Sequence, residues 1–335
     1  MTGSREMEVG AASSAEARRL VELLVWLCQI PSPTGDERAL CDALLVDLAR
    51  APLAGEPRRY GDSIVVPVTR GTGGPKIALV GHLDVVRTSH DGPPRVEGDR
   101  LYGPGASDMK SGLALMLDLV QSGLSDCAGV DLTLVFYARE EGPFLENELG
   151  PVLEEDPELG RVDLAVCMEP SDNKLSLGAS GSLHATIAFE GRTAHSARPW
   201  QGENAIHKAG PFLTELGARA PREVELDGLV YRAVTSATTA SGGRGRNVVP
   251  DSFTPNLNHR FPPGTSVEEA QQEIIELVAG RASITWTDLS PSALPHASHP
   301  LVIALRAAGV ADVEPKQAWT DVARFALHGV PAVNF

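Results

Sequence analysis

IALVGHLDVV at residues 77–86 and YGPGASDMKSGLALML at residues 102–117 carry the reading on which the fold rests. The first opens with four apolar residues, 77–80, the mark of a strand covered on both faces. It breaks at Gly81 and delivers His82, Leu83 and Asp84, so an imidazole and a carboxylate two residues apart share one face where the strand ends. Open α/β sheets place their sites at such strand ends. The second stretch sets Asp108 ahead of Leu113, Met116, Leu117 and Val120, an apolar stripe at helical spacing.

The same arrangement recurs twice further along. Residues 130–138 read as a buried strand running into Arg139-Glu140-Glu141-Gly142, and residues 162–168 as another running into Glu169-Pro170. Taken singly, each feature is ordinary: a strand-end histidine is usually just hydrogen-bonded, a Glu-Glu pair is usually solvated, and a glutamate before proline usually sits in a turn. Three strand ends that each deliver acid or imidazole point instead to a divalent metal site with an open position for water. With two ions about 3.5–4 Å apart, Asp108 is the natural bridge, His82 a terminal ligand, and Glu141 and Glu169 further ligands shared between the ions. Glu140 then stays free as general base, and Asp84 holds the other nitrogen of His82. No GxSxG elbow is present to support a serine hydrolase.

Around these motifs the chain alternates strands and helices. Helices are expected over residues 15–30, 109–121, 204–216, 266–278, 300–308 and 321–327, and strands over 60–68, 76–80, 182–189, 253–261, 284–289 and 332–335. Thr34 followed by Glu37 predicts a capping box opening a helix through residue 48. Residues 147–159 read as loosely helical, and residues 1–13 as a disordered N-terminus. The texture divides the chain into an α/β domain at 14–176 and 291–335 and an inserted α+β unit at 177–290.

Composition is that of a soluble globular protein, 42% hydrophobic and 22% charged. The net charge of −15 and the lack of a basic stripe argue against nucleic acid or anionic membrane as partners. Cys28, Cys41, Cys127 and Cys167 form no CxxC pair and read as buried thiols in a reducing, cytoplasmic compartment. The first residues lack the apolar core of a signal peptide.

GHLDVV, YGPGASDMKSGLA, AREEG, MEP, GRTAHSARP, NVVP and NHRF stand in the order found in the co-catalytic zinc amidohydrolases and aminoacylases, which this chain resembles from about residue 21 to 335. The closing stretch WTDVARFALHGVPAVNF is similar to that of the family's desuccinylases. The resemblance implies a zinc-peptidase-like catalytic domain, a mixed sheet flanked by helices, with an inserted lid through which two copies dimerise. It implies a metallo-amidohydrolase, with two divalent ions, zinc or cobalt, that splits N-succinyl-L,L-diaminopimelate into succinate and L,L-diaminopimelate in lysine and diaminopimelate biosynthesis. By motif position it makes His82, Asp108, Glu141 and Glu169 the metal ligands, Glu140 the base and Asp84 the orienter of His82. His195 is similar to a lid histidine that serves the partner subunit's site, and Asn247, Arg260 and Thr320 resemble substrate contacts.

Two features depart from the family pattern. Its members continue past the last strand to a histidine that completes the second metal's shell, whereas the residues given end at Phe335, so either the chain continues beyond them or the second site is one protein ligand short. Ala179 and Ser180 precede Gly181 where some desuccinylases carry an arginine for a substrate carboxylate. The rival readings are another deacylase such as an acetylornithine deacetylase, a metallocarboxypeptidase, or a metal-poor relative without catalysis.

Overall fold

The computed structural model describes residues 15–87, 92–123, 129–310 and 312–335; the expected N-terminal tail, His90 and Cys127 lie outside them. The chain divides into two compact units, one running to Asp172 and taking in Phe335, the other Asn173–Asn334.

In the first unit, helices α1 (Ala15–Gln29) and α2 (Arg38–Leu48) precede a hairpin of β1 (Arg58–Tyr60) and β2 (Ser63–Pro67). Then come β3 (Lys76–His82), the small ribbon β4 (Arg95–Glu97) and β5 (Arg100–Tyr102), α3 (Lys110–Gln121), β6 (Asp131–Tyr137), α4 (Leu149–Glu155) and β7 (Leu164–Cys167). Its main strands lie in the order β1-β2-β6-β3-β7. The β2–β6 pair is antiparallel, while β6, β3 and β7 run parallel. The continuous apolar runs read from the sequence are these three parallel strands, buried because helices cover them. Leu27 of α1, Leu40 and Leu44 of α2, Leu113 and Leu117 of α3, and Leu134 and Phe136 of β6 share one core.

The expected strand at 60–68 is broken by a turn between Tyr60 and Ser63 and becomes one arm of the β1–β2 hairpin. The expected capping box is absent. Glu37 sits at the N-cap of α2 with helical backbone angles and no side-chain cap, and its carboxylate is used elsewhere.

The second unit contains β8 (Leu175–Leu177), β9 (Gly181–Glu190), α5 (Ala205–Gly217), β10 (Arg222–Leu226), β11 (Leu229–Gly242), β12 (Ser252–Phe261), α6 (Val267–Val278) and β13 (Ser283–Ser290). It ends with α7 (Pro300–Ala307), β14 (Val313–Pro315), α8 (Val322–Leu327) and β15 (Ala332–Asn334). Five strands form an antiparallel sheet in the order β10-β11-β12-β9-β13. Leu183, Ile187 and Phe189 of β9 pack with Phe212 of α5 and Ile274 of α6 in a core of their own. A true capping box opens α6, where Ser266 and Glu269 exchange side-chain and backbone hydrogen bonds. Among the described residues no helix is long and apolar enough to cross a membrane.

Candidate metal centre

The parallel order β6-β3-β7 sets three C-terminal strand ends side by side, with β3 in the middle. His82, the last residue of β3, stands opposite Tyr137, the last of β6. Two residues past Tyr137 the chain turns at Arg139, whose φ of 64° is left-handed, and presents Glu140 and Glu141. On the other flank β7 ends at Cys167, Met168 donates its N–H to Val80 O at 2.9 Å, and Glu169 follows.

Asp108 arrives from the helical side. It precedes α3, whose start lies directly against the ends of β3 and β7. A Cβ at Gly112 would come within 2.8 Å of Met168 O, and one at Gly81 within 2.6 Å of Leu113 Cδ2. Glycine at these two positions lets the helix approach closely enough to aim Asp108 at His82. His82 Nε2 lies 3.2 Å from Asp108 Oδ1. One donor atom each from His82, Glu140 and Glu141 lies within 4.8 Å of the others.

Asp84 divides its work. The other ring nitrogen of His82, Nδ1, is 2.9 Å from the main-chain oxygen of Asp84 and 3.5 Å from its carboxylate. The shorter contact is the hydrogen bond, so the backbone of Asp84 orients the ring. Its carboxylate accepts from Glu140 N at 2.9 Å and Glu141 N at 3.0 Å, fixing the acidic turn.

Electrostatics follow from this crowding. Burial disfavours the charged imidazole of His82, but the neighbouring carboxylates of Asp108 and Asp84, which favour its protonated form, and the charges of Glu140 and Glu169 outweigh it and raise the pKa well above the usual value. Glu141 is raised by desolvation and then by Asp108. Asp84 pays for burial yet is lowered, because His82 and the two backbone N–H groups favour its carboxylate. His82, Glu140 and Glu141 lie close enough together to hold a divalent cation, with Asp108 against His82 and the charge of Glu169 near it, and a cation would relieve the repulsion among these acids.

The remaining expected site residues lie in the second unit. His195 and Asn247 are exposed neighbours: Ser196 N donates to Asn247 O at 2.9 Å, and residues 195 and 248 form an isolated β-bridge. Ala197 N donates to His195 Nδ1 at 3.1 Å, so the neutral ring carries its proton on Nε2, ready to donate. Arg260, on β12, is half-buried and its Nε donates to Asn258 Oδ1 at 3.2 Å; burial lowers its pKa. Thr320 is buried with its hydroxyl unpartnered among the described residues.

Two residues were missed in the sequence. Lys110 is fully buried, its Nζ donating to Leu27 O at 3.0 Å and Ile30 O at 2.9 Å, and burial pulls its pKa down to about 8. The signal was its position on the same helical face as Leu113 and Leu117. Glu37 was read as a helix cap, but its carboxylate reaches Arg139 N at 3.2 Å.

Comparison with known proteins identifies the family. A Mycobacterium tuberculosis protein named for succinyl-diaminopimelate desuccinylase is 38% identical over 316 residues, 94% of this chain and 88% of its own. The succinyl-diaminopimelate desuccinylase of Corynebacterium glutamicum is 36% identical over 92% of this chain and 85% of its own. Residues 177–284 match the M20-type peptidase dimerisation domain. The chain belongs to the M20 family. It is accordingly a metal-dependent amide hydrolase. Solved M20 structures share the fold. A metallo-carboxypeptidase from Sulfolobus solfataricus superposes with a TM-score of 0.76 at 15% identity, covering 94% of this chain and 90% of its own. A dinuclear metal-binding peptidase from Bacillus subtilis does so with a TM-score of 0.64 at 17% identity, covering 96% and 88%.

Proposed function

We propose that this M20 hydrolase splits N-succinyl-L,L-diaminopimelate into succinate and L,L-diaminopimelate, a step of lysine and diaminopimelate biosynthesis carried out in the cytoplasm. The observation that carries the reading is the 36–38% identity to desuccinylases over nearly the whole chain. We assign catalysis to a domain at 14–176 and 291–335, and homodimerisation to the inserted domain at 177–290, which contains the dimerisation match.

His82, Asp108, Glu141 and Glu169 would hold two divalent ions, zinc or cobalt. When bound, the ions polarise the amide carbonyl and acidify water to a pKa of about 7. Glu140 takes the proton of the attacking water and passes it to the leaving amine, so that the tetrahedral intermediate collapses to carboxylate and free amine. Asp84 keeps Glu140 and Glu141 at their stations through their backbone N–H groups. By the family resemblance His195 serves the oxyanion in the partner subunit's site, while Asn247, Arg260 and Thr320 stand as substrate contacts, Arg260 through its guanidinium to a carboxylate.

A substrate panel tests the assignment. N-succinyl-L,L-diaminopimelate should be hydrolysed at least about 10²-fold faster, by kcat/KM, than N-acetylornithine or dipeptides. Preference for acetylornithine or for dipeptides would transfer the chain to the corresponding branch of the family. Binding of zinc without turnover of any of these would make it a non-catalytic relative.

A further inference from the structure

The segment Pro31-Ser32-Pro33-Thr34-Gly35-Asp36-Glu37 lies between α1 and α2 and has no part in the mechanism above. It is hydrogen-bonded along the whole length of the strand end that carries His82 and Asp84. Ser32 Oγ donates to Leu83 O at 2.7 Å, Val85 N donates to Ser32 O at 2.9 Å, and Thr34 N donates to Val85 O at 3.2 Å. The segment ends on Glu37, a carboxylate only 1% exposed. Its Oε1 accepts from Gly35 N at 2.7 Å and from Arg139 N at 3.2 Å.

The second of these bonds reaches the turn that presents the acidic pair. Three consecutive backbone N–H groups there are each held by a carboxylate oxygen: Arg139 by Glu37, Glu140 by Asp84 Oδ1 and Glu141 by Asp84 Oδ2. Arg139 is the residue whose positive φ makes the turn. A left-handed non-glycine residue persists only where its surroundings hold it, and Glu37 supplies that hold.

We propose that Glu37 is a positioning residue for the hydrolysis, clamping the Arg139-Glu140-Glu141 turn by accepting the Arg139 N–H. The proposal rests on the assignment of Glu140 as base and Glu141 as ligand. What the clamp needs is an acceptor oxygen at that reach rather than a charge, because the groups Glu37 meets are neutral N–H donors. Loss of the clamp lets the pair shift by a fraction of an ångström to an ångström, a displacement that costs up to about 10²-fold in rate.

The test compares Glu37→Gln, Glu37→Asp and Glu37→Met, with Glu140→Gln as reference. Glutamine keeps an acceptor at the same reach, aspartate withdraws it by one methylene while keeping the charge, and methionine removes it. Turnover in Glu37→Gln should stay within about threefold of the parent, while Glu37→Asp and Glu37→Met should lose about 10–100-fold in kcat with KM little changed. Hydrogen exchange of the amides at 139, 140 and 141, measured on the metal-free protein, should quicken in Glu37→Asp and Glu37→Met and not in Glu37→Gln. If Glu37→Met does not fold, the aspartate–glutamine comparison carries the test. Parental kcat in Glu37→Asp together with a loss in Glu37→Gln overturns the proposal, since charge would then be what matters. Unchanged exchange at the three amides overturns it as well. Full turnover in Glu140→Gln would instead sink the assignment of the base and leave the exchange result standing.

Discussion

Glu140 and Glu141 share a turn, yet the account gives them different work, and the geometry makes the division testable. Both place an oxygen within 4.8 Å of a His82 nitrogen, so either could ligate. If Glu140 is the base, Glu140→Gln removes the group that shuttles the proton while leaving the ligands in place. Its kcat should fall by about 10²–10⁴-fold. Its zinc affinity, measured by titration calorimetry, should stay within a few-fold of the parent. A lost ion with modestly reduced turnover would exchange the roles of the two glutamates. His195→Ala should cost about 10²–10³-fold in kcat, read by steady-state kinetics, because a donor to the oxyanion acts only in the transition state.

At the scale of elements, the site depends on how closely α3 approaches the ends of β3 and β7. Gly112→Ala would push a methyl to within 2.8 Å of Met168 O, a backbone atom that cannot swing aside. The variant should lose about 1–3 kcal/mol in denaturant unfolding and bind zinc more weakly, because the helix carries Asp108 with it. The sequence was informative about these elements for a physical reason. Parallel strands buried on both faces must be apolar throughout, so β3, β6 and β7 stood out, and with them the polar residues at their ends. Where no such constraint acts, the reading failed. The last eight residues of β11, Thr235–Gly242, are mostly exposed small and hydroxyl side chains paired with β12, and no apolar alternation announced them. The Thr34–Glu37 pair satisfies the spacing of a capping box, but sequence spacing cannot tell whether a glutamate folds back on its own helix or reaches residue 139. The true box at Ser266 predicts that Ser266→Ala costs about 1 kcal/mol of stability, measured by denaturant titration.

For the molecule as a whole, the change of texture after residue 174 falls close to where the second compact unit begins, at Asn173, while the expected return to the first domain at residue 291 has no counterpart in that unit, which runs on to Asn334. The family motifs named the candidates in both units, but spacing could not say that Asp84 orients His82 through its main chain, nor that Lys110 is buried. The second unit also predicts a pH response. His259 is buried on β12 with its Nδ1 2.8 Å from Thr235 Oγ1, and burial lowers its pKa despite the charge of Glu273. The unfolded chain therefore takes up a proton near pH 6.5 that the folded one refuses until lower pH, so stability is present above about 6.5 and lost as the pH falls through that window. His259→Gln should flatten part of this loss in thermal midpoints taken between pH 5 and 8. His184 and His296, lowered in the same direction, keep the rest.

Titration of the chelator-stripped protein with zinc, followed by bound metal and by turnover of N-succinyl-L,L-diaminopimelate together, tests the central claim most directly. The account predicts that the stripped protein is inactive, that turnover returns as divalent metal binds, and that His82→Ala and Asp108→Asn each weaken binding by at least about tenfold. Undiminished turnover after stripping, or zinc affinity indifferent to both substitutions, would contradict it.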